Sequence, residues 1–122
     1  MSEVKSKIEK SREKWVTVGG HEFLIRRPSR TQVMLMAEEN RRRKKSGAGD
    51  DVSLDQLIAC VVDWKVPENQ LFPGGGGTIP PFDLEDLKEW LGDQPDLHND
   101  IGSAVIKLIQ EFEAKKEKVA KN

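Results

Sequence analysis

The chain has 122 residues, of which 36% are hydrophobic and 34% charged, with mean hydropathy −0.62 and a net charge of −1. That length suits a single domain. The single cysteine, Cys60, excludes an internal disulfide, and the longest apolar run, Leu57–Val62, falls far short of the ~18 residues of a membrane span.

The near-zero net charge conceals an uneven distribution. Residues 1–49 carry 13 Lys and Arg against 6 Glu, whereas residues 50–100 carry 12 acidic residues against 2 Lys. A basic front and an acidic middle suit attraction within the chain or head-to-tail contact between copies, the alternative being two solvated faces that never meet.

Residues 1–14 alternate Lys and Glu around Val4 and Ile8; a frayed helix or a disordered segment is expected. The opening stretch is charged and lacks the apolar centre of a signal peptide, so a soluble cytoplasmic protein is expected. Residues 15–26 read as a β-hairpin. Trp15, Val16 and Val18 precede Gly19-Gly20, and Phe23, Leu24 and Ile25 follow, so strand-forming residues flank a turn that can take positive φ. His21 beside that turn has no second ligand near it in sequence.

Pro28 then ends the strand, and Ser29 with Gln32 forms a capping box for a helix over about 30–45. Its apolar stripe is Val33, Met36 and Ala37, widened by Met34 and Leu35, and Gly47 is the expected stop. A second capping pair, Ser53 and Gln56, precedes Leu54, Leu57, Ile58, Val61 and Val62. This i, i+3, i+4, i+7, i+8 spacing predicts a helix over 53–64 ended by Trp64. A flexible Gly-rich loop is expected over 65–82. Asp83 caps a short helix over 83–92 bearing Leu84, Leu87, Trp90 and Leu91. Pro95 takes the first position of a final helix over 95–113, whose stripe is Leu97, Ile101, Ala104, Val105, Leu108 and Phe112, broadened by Ile106 and Ile109. The charged tail, 113–122, has no core-forming pattern.

These elements predict a mainly α (α+β) fold, with a short N-terminal β-hairpin packed on a small bundle of about four helices. The expected centre is Leu54, Leu57, Ile58, Val61, Val62, Leu87, Leu91, Ile101, Val105 and Leu108, with Trp64 at the edge.

Chemistry finds little to work with. Gly74–Gly77 invites a phosphate-loop reading, but Thr78, Ile79, Pro80 and Pro81 follow it. No lysine is there to reach a phosphate, and proline lacks the N–H that would cradle one. His21, His98 and Cys60 lack metal-ligand spacing, and Cys60 has no base beside it. The expectation is a protein that is not an enzyme, with no catalytic residue, metal or cofactor. A basic block, Arg41, Arg42, Arg43, Lys44 and Lys45, joined by Arg26, Arg27 and Arg30, offers phosphate contacts. Against nucleic acid stand a pI of about 6.1 and the lack of aromatic residues among those cations; a solvated helix end is the simpler reading.

Taken in order, the landmarks resemble the tail assembly chaperones of long-tailed (siphovirus-type) bacteriophages and related prophages. The resemblance rests on a hairpin ending Ile25-Arg26-Arg27-Pro28-Ser29, and on Val61-Val62 followed by Trp64. It continues through Pro81-Phe82-Asp83 opening a helix with Leu84, Leu87 and Leu91, and Pro95-Asp96-Leu97 opening a last helix with Ile101, Ala104 and Ile109. It covers about residues 15–112, and departs from the family pattern at Lys65-Val66 and in the Gly-rich insertion. It implies a non-catalytic protein in the cytoplasm of the bacterial host. Such a protein binds the tape measure protein and tail tube subunits of the same phage, can self-associate, and leaves before the virion is complete. Partner contact is expected at Ile106, Ile109 and Phe112 of the final helix, with Arg41, Arg42 and Arg43 as a second candidate surface. The competing readings are a small nucleic-acid-binding regulator using the 41–45 block and a structural head–tail connector.

Overall fold

The computed structural model describes residues 3–45 and 54–120, including their side chains except those of residues 40, 43–45, 54–55 and 116–120. The order is α1 (Glu3–Ser11), β1 (Glu13–Val18), β2 (His21–Arg26), α2 (Arg30–Lys45), α3 (Leu54–Ile58), β3 (Val61–Trp64), α4 (Glu68–Leu71), α5 (Leu84–Leu91) and α6 (Pro95–Ala120). The fold is α+β: a three-stranded antiparallel sheet in the order β1-β2-β3, covered on one face by helices.

The hairpin forms as its residues dictate. Gly19 and Gly20 take φ of 59° and 82°, values a two-residue turn between right-twisted strands requires. The register pairs Val18 with His21, Val16 with Phe23 and Lys14 with Ile25. Side chains alternate across a strand, so Val18, Phe23 and Ile25 turn to the buried face while Trp15, Leu24, Glu13 and Arg26 share the other.

The expected helix over 53–64 is corrected by the structure: it stops at Ile58, and Val61–Trp64 is the third strand. The reason is a bulge. Phe23 pairs with Trp64 and Ile25 with Val61, so two residues on β2 face a span of three on β3, with the irregularity between Leu24 and Ile25. The extra residue puts Val61 and Trp64 on one face at a spacing of three, which imitates a helix. β-Branched Val61 and Val62 favour the strand, and the far edge of β2 needs a partner. The Arg26 N–H donates to the Cys60 carbonyl at 2.8 Å, bringing the chain from α3 into the sheet. Trp64, expected at the edge, is therefore core, with its indole N–H donating to the Pro80 carbonyl at 2.9 Å.

Other boundaries shift less. Residues 3–11 are helical, with no buried residue, and α6 runs to Ala120 because the Ala, Lys and Glu of the tail are good helix formers. The expected cap at Ser29 forms in both directions. The Gln32 N–H donates to Ser29 Oγ at 3.2 Å and the Ser29 N–H to Gln32 Oε1 at 2.8 Å. Asp83 Oδ1 accepts from the Glu85 and Asp86 N–H groups at 2.9 and 3.1 Å, as expected for an N-cap. The loop over 65–82 is more ordered than its glycines imply. It contains α4, and the N–H groups of Glu68 and Asn69 donate to the carbonyls of Thr78 and Gly76 at 3.0 and 2.9 Å. Ser53 and Gly47, and the side chain of Leu54, lie outside the described residues.

The core joins the sheet face (Val18, Phe23, Ile25, Val61, Trp64) to Leu57 and Ile58 of α3, Val66, Leu87 and Leu91 of α5, and Leu97, Ile101 and Val105 of α6. Val62 and Leu108, expected inside, are half-buried. The last helix runs along the sheet, with Leu97 against Gly19 at the turn, Glu111 4.0 Å from Lys14, and Phe112 at Arg27 beyond the open end.

Candidate protein-binding groove

At that open end, α1 and α2 leave the helical cover and enclose an open groove of about 1130 Å³ with the start of β3. Its apolar floor and walls are Val4, Ile8, Leu35, Met36, Ala59 and Val62; its polar lining includes Arg12, Arg26, Arg27, Glu9, Glu39 and Gln56. The local sequence explains why it stays open. Val4 and Ile8 sit four apart on an otherwise charged helix, so they form a stripe too narrow to bury α1. On α2, Met34 and Leu35 lie outside the Val33–Met36 stripe. In consequence Val4 is 64% exposed, Ile8 46%, Met34 69% and Leu35 58%. Apolar residues clustered on one surface around a groove mark a place where another molecule is covered.

The groove's charges are unevenly satisfied. Arg26 is held by Glu13, with its Nε and terminal nitrogen 3.0 and 2.6 Å from one carboxylate oxygen, and lies 3.6 Å from Glu9. Arg12 and Arg27 meet no carboxylate among the described residues; Arg27 instead donates from Nη1 to the Pro28 carbonyl at 3.1 Å, with its guanidinium over the Phe112 ring. The Arg27 N–H donates to the Arg12 carbonyl at 2.8 Å, so these two continue the β1–β2 pairing by one step and set like charges opposite each other. Burial, and then the Arg12 charge, lowers the pKa of Arg27 below the usual guanidinium range. The Gln56 Nε2 donates to Glu39 at 2.6 Å, while its buried Oε1 has no donor among the described residues.

Cys60 also lines the groove. Burial pushes its thiol up to about 11, so almost no nucleophilic thiolate exists near neutral pH. His21 lies edge-on to Trp90 and Phe23, with ring centroids 5.5 and 6.5 Å apart. Among the described residues no group of three or more His, Cys, Asp or Glu could hold a metal ion, and no helix is long and apolar enough to cross a membrane.

The residues expected at a partner surface are dispersed. Ile106 is 40% exposed on α6. Ile109 packs half-buried against the core, and Phe112 is half-buried beneath the Arg27 guanidinium. Arg41 and Arg42 are exposed on α2, and the side chain of Arg43 lies outside the described residues. The groove itself went unforeseen, although a signal existed: Val4 and Ile8 at helical spacing, and Leu35 beside a stripe that was already complete.

No protein-family model matches this chain, no curated protein matches it, and no solved structure matches it.

Proposed function

We propose that this chain is a non-catalytic tail assembly chaperone of a long-tailed bacteriophage or prophage. It works in the cytoplasm of the bacterial host, binds the tape measure protein and tail tube subunits, and leaves before the virion is complete. On this reading α2, α3, α5 and α6 correspond to the four-helix part of the family fold. The observation that carries the reading is the groove between α1 and α2, with Val4, Ile8 and Leu35 exposed in its lining. A long helical client presents apolar side chains at i, i+3, i+4 and i+7, and an apolar groove covers such a stripe. Contact with the client thus centres on α1 and α2 rather than on Ile109 and Phe112, which the fold already uses.

The test is co-expression with the tape measure protein of the same phage. Ile8→Asp combined with Leu35→Asp should abolish co-purification, while Ile106→Asp should weaken it less. The chain should also be absent from purified virions. Its presence there would favour the connector reading. Exposed Arg41 and Arg42 give the nucleic-acid reading its own check, since salt-sensitive retention on DNA, lost on neutralising both, would replace the chaperone reading.

A further inference from the structure

At the end of the sheet away from the groove, Trp90 of α5 separates two open pockets. β2 spans from Arg26 at the groove to His21, whose ring meets Trp90 edge-on. On one side of Trp90 is a pocket of about 440 Å³, apolar through Leu71, Phe72 and Pro80 and bordered by Glu68, Asp86, Glu89 and Asp93. On the other is a pocket of about 300 Å³ whose lining includes His21, Asp96 and Asp100. Phe72 is 49% exposed. Among the described residues none of these six carboxylates meets a cation. Residues 66–100 carry eight Asp and Glu against a single Lys, and that residue, Lys88, bridges Glu85. Lys65, just before the segment, turns to Glu22 and the Trp15 ring. Helix ends explain part of this acidity. Asp83, Glu85 and Asp86 stand at the start of α5 and Asp96 at the start of α6, where the helix dipole favours a carboxylate. Glu89 in the last turn of α5 and Asp100 beyond the first turn of α6 gain nothing from it. Trp90 is also unlike Phe112 and Trp15, each of which has a cation of this chain over its ring; among the described residues Trp90 has none.

We propose that this end docks an arginine-bearing segment of another protein, with an apolar side chain seated against Phe72 and a guanidinium laid on Trp90 within reach of the carboxylates of both pockets. The acidic rim selects basic chemistry by charge complementarity. The apolar pocket beside it requires a side chain to fill it, which excludes a bare cation. Arginine fits better than lysine, because its planar guanidinium is weakly hydrated, stacks on an indole and can donate to two carboxylates at once. The surface shares no residue with the α1–α2 groove. A client in the groove and a basic segment at Trp90 can therefore be held together, and the inference does not rest on which client the groove takes.

Titration calorimetry on the full chain tests this with synthetic peptides of equal length, in which Arg alternates with Leu, Lys with Leu, or Arg with Ser. The Arg-Leu peptide should bind at least about threefold more tightly than Lys-Leu and at least about tenfold more tightly than Arg-Ser. Phe72→Ala should erase the preference for Leu, and Trp90→Leu the preference for Arg. Glu89→Gln with Asp93→Asn should weaken binding at least about tenfold. Glu111→Gln with Glu113→Gln removes the same charge from the later part of α6 and should change binding less than about twofold. Leu35→Ser, in the groove, should leave it unchanged. Phe72, Glu89 and Asp93 are exposed, so their variants keep the test decisive even where Trp90→Leu melts early. Equal binding by the parent and the Glu89 and Asp93 variant overturns the proposal. So does weakening that follows net charge alone, or loss of binding on Leu35→Ser, which would put the peptide in the groove. Self-association of the parent that the Glu89 and Asp93 variant abolishes would give the surface to a second copy, and overturns it too.

Discussion

The guanidinium of Arg27 lies over the ring of Phe112, its central carbon 3.6 Å from the ring centroid. This contact ties the end of the hairpin to α6, and it occupies the aromatic residue that the sequence offered to a partner. A cation over a ring face contributes about 0.5–1 kcal/mol where solvent reaches it and more where it does not. Phe112→Leu keeps the apolar contact and loses the ring, so urea denaturation should show a loss of about 1 kcal/mol. Phe112→Ala should cost more. Neither variant should change client co-purification by more than the change in folded population.

Trp64 and Phe82 make the matching contact at the other end, with centroids 5.4 Å apart and rings at 89°. Phe82 is only half-buried, but it covers the face of a tryptophan that bonds to Pro80. Phe82→Ala should destabilise the domain by about 2–3 kcal/mol. Trp64→Phe removes the indole donor from the Pro80 carbonyl as well as volume, and should cost at least as much in the same assay.

The four glycines are not equivalent. A Cβ on Gly75 would stand 2.5 Å from the Glu68 carbonyl oxygen and 2.9 Å from the Asn69 nitrogen, whereas one on Gly76 or Gly77 would meet nothing within 4 Å. Gly75→Ala must push the loop off α4 and should lower stability by about 1–3 kcal/mol. Gly76→Ala and Gly77→Ala should lie within about half a kcal/mol of the parent. Thermal melts of the three single variants will rank them.

Cys60 predicts a pH dependence. Folding holds the thiol protonated up to about 11, while an unfolded thiol ionises from about pH 8.5. The unfolded chain therefore loses its proton first. This group's contribution to stability is complete below about pH 8.5 and is lost as pH rises toward the folded value. Between neutral pH and about pH 10, urea midpoints of the parent should fall more steeply than those of Cys60→Ala. Alkylation of the folded chain at mildly alkaline pH should be about two orders of magnitude slower than that of the unfolded chain.

Local signals in the sequence were legible wherever one residue type performs one local task. The Gly19-Gly20 turn, the Ser29–Gln32 box and the Asp83 cap all form where the residues place them. The apolar stripes of α5 and α6 also face the core, through Leu87, Leu91, Ile101 and Val105. What misled was a periodicity with two sources. Leu57, Ile58, Val61 and Trp64 lie on one face, but two of them do so in a helix and two across a bulged strand. Spacing alone cannot separate those cases; the unpaired edge of β2 decides, and that edge is a tertiary fact. The groove was hidden for a related reason. Whether Leu35 or Ile109 is exposed depends on how many neighbours reach each helix, not on its own pattern.

The chain contains three tryptophans and no tyrosine, and the fold gives each indole a different setting. Trp64 is sealed in the core, Trp90 is half-buried beside His21, and Trp15 is 38% exposed with the Lys65 ammonium 4.6 Å from its ring centre. A sealed indole emits toward the blue and a wet one toward the red, so the native spectrum is a composite whose parts report different places. Trp64 reads the state of the core, Trp90 the acidic end, and Trp15 the outer face of the sheet. Single Trp→Phe variants would divide that light among the three. The protein thus carries its own optical probe of which end another molecule has touched.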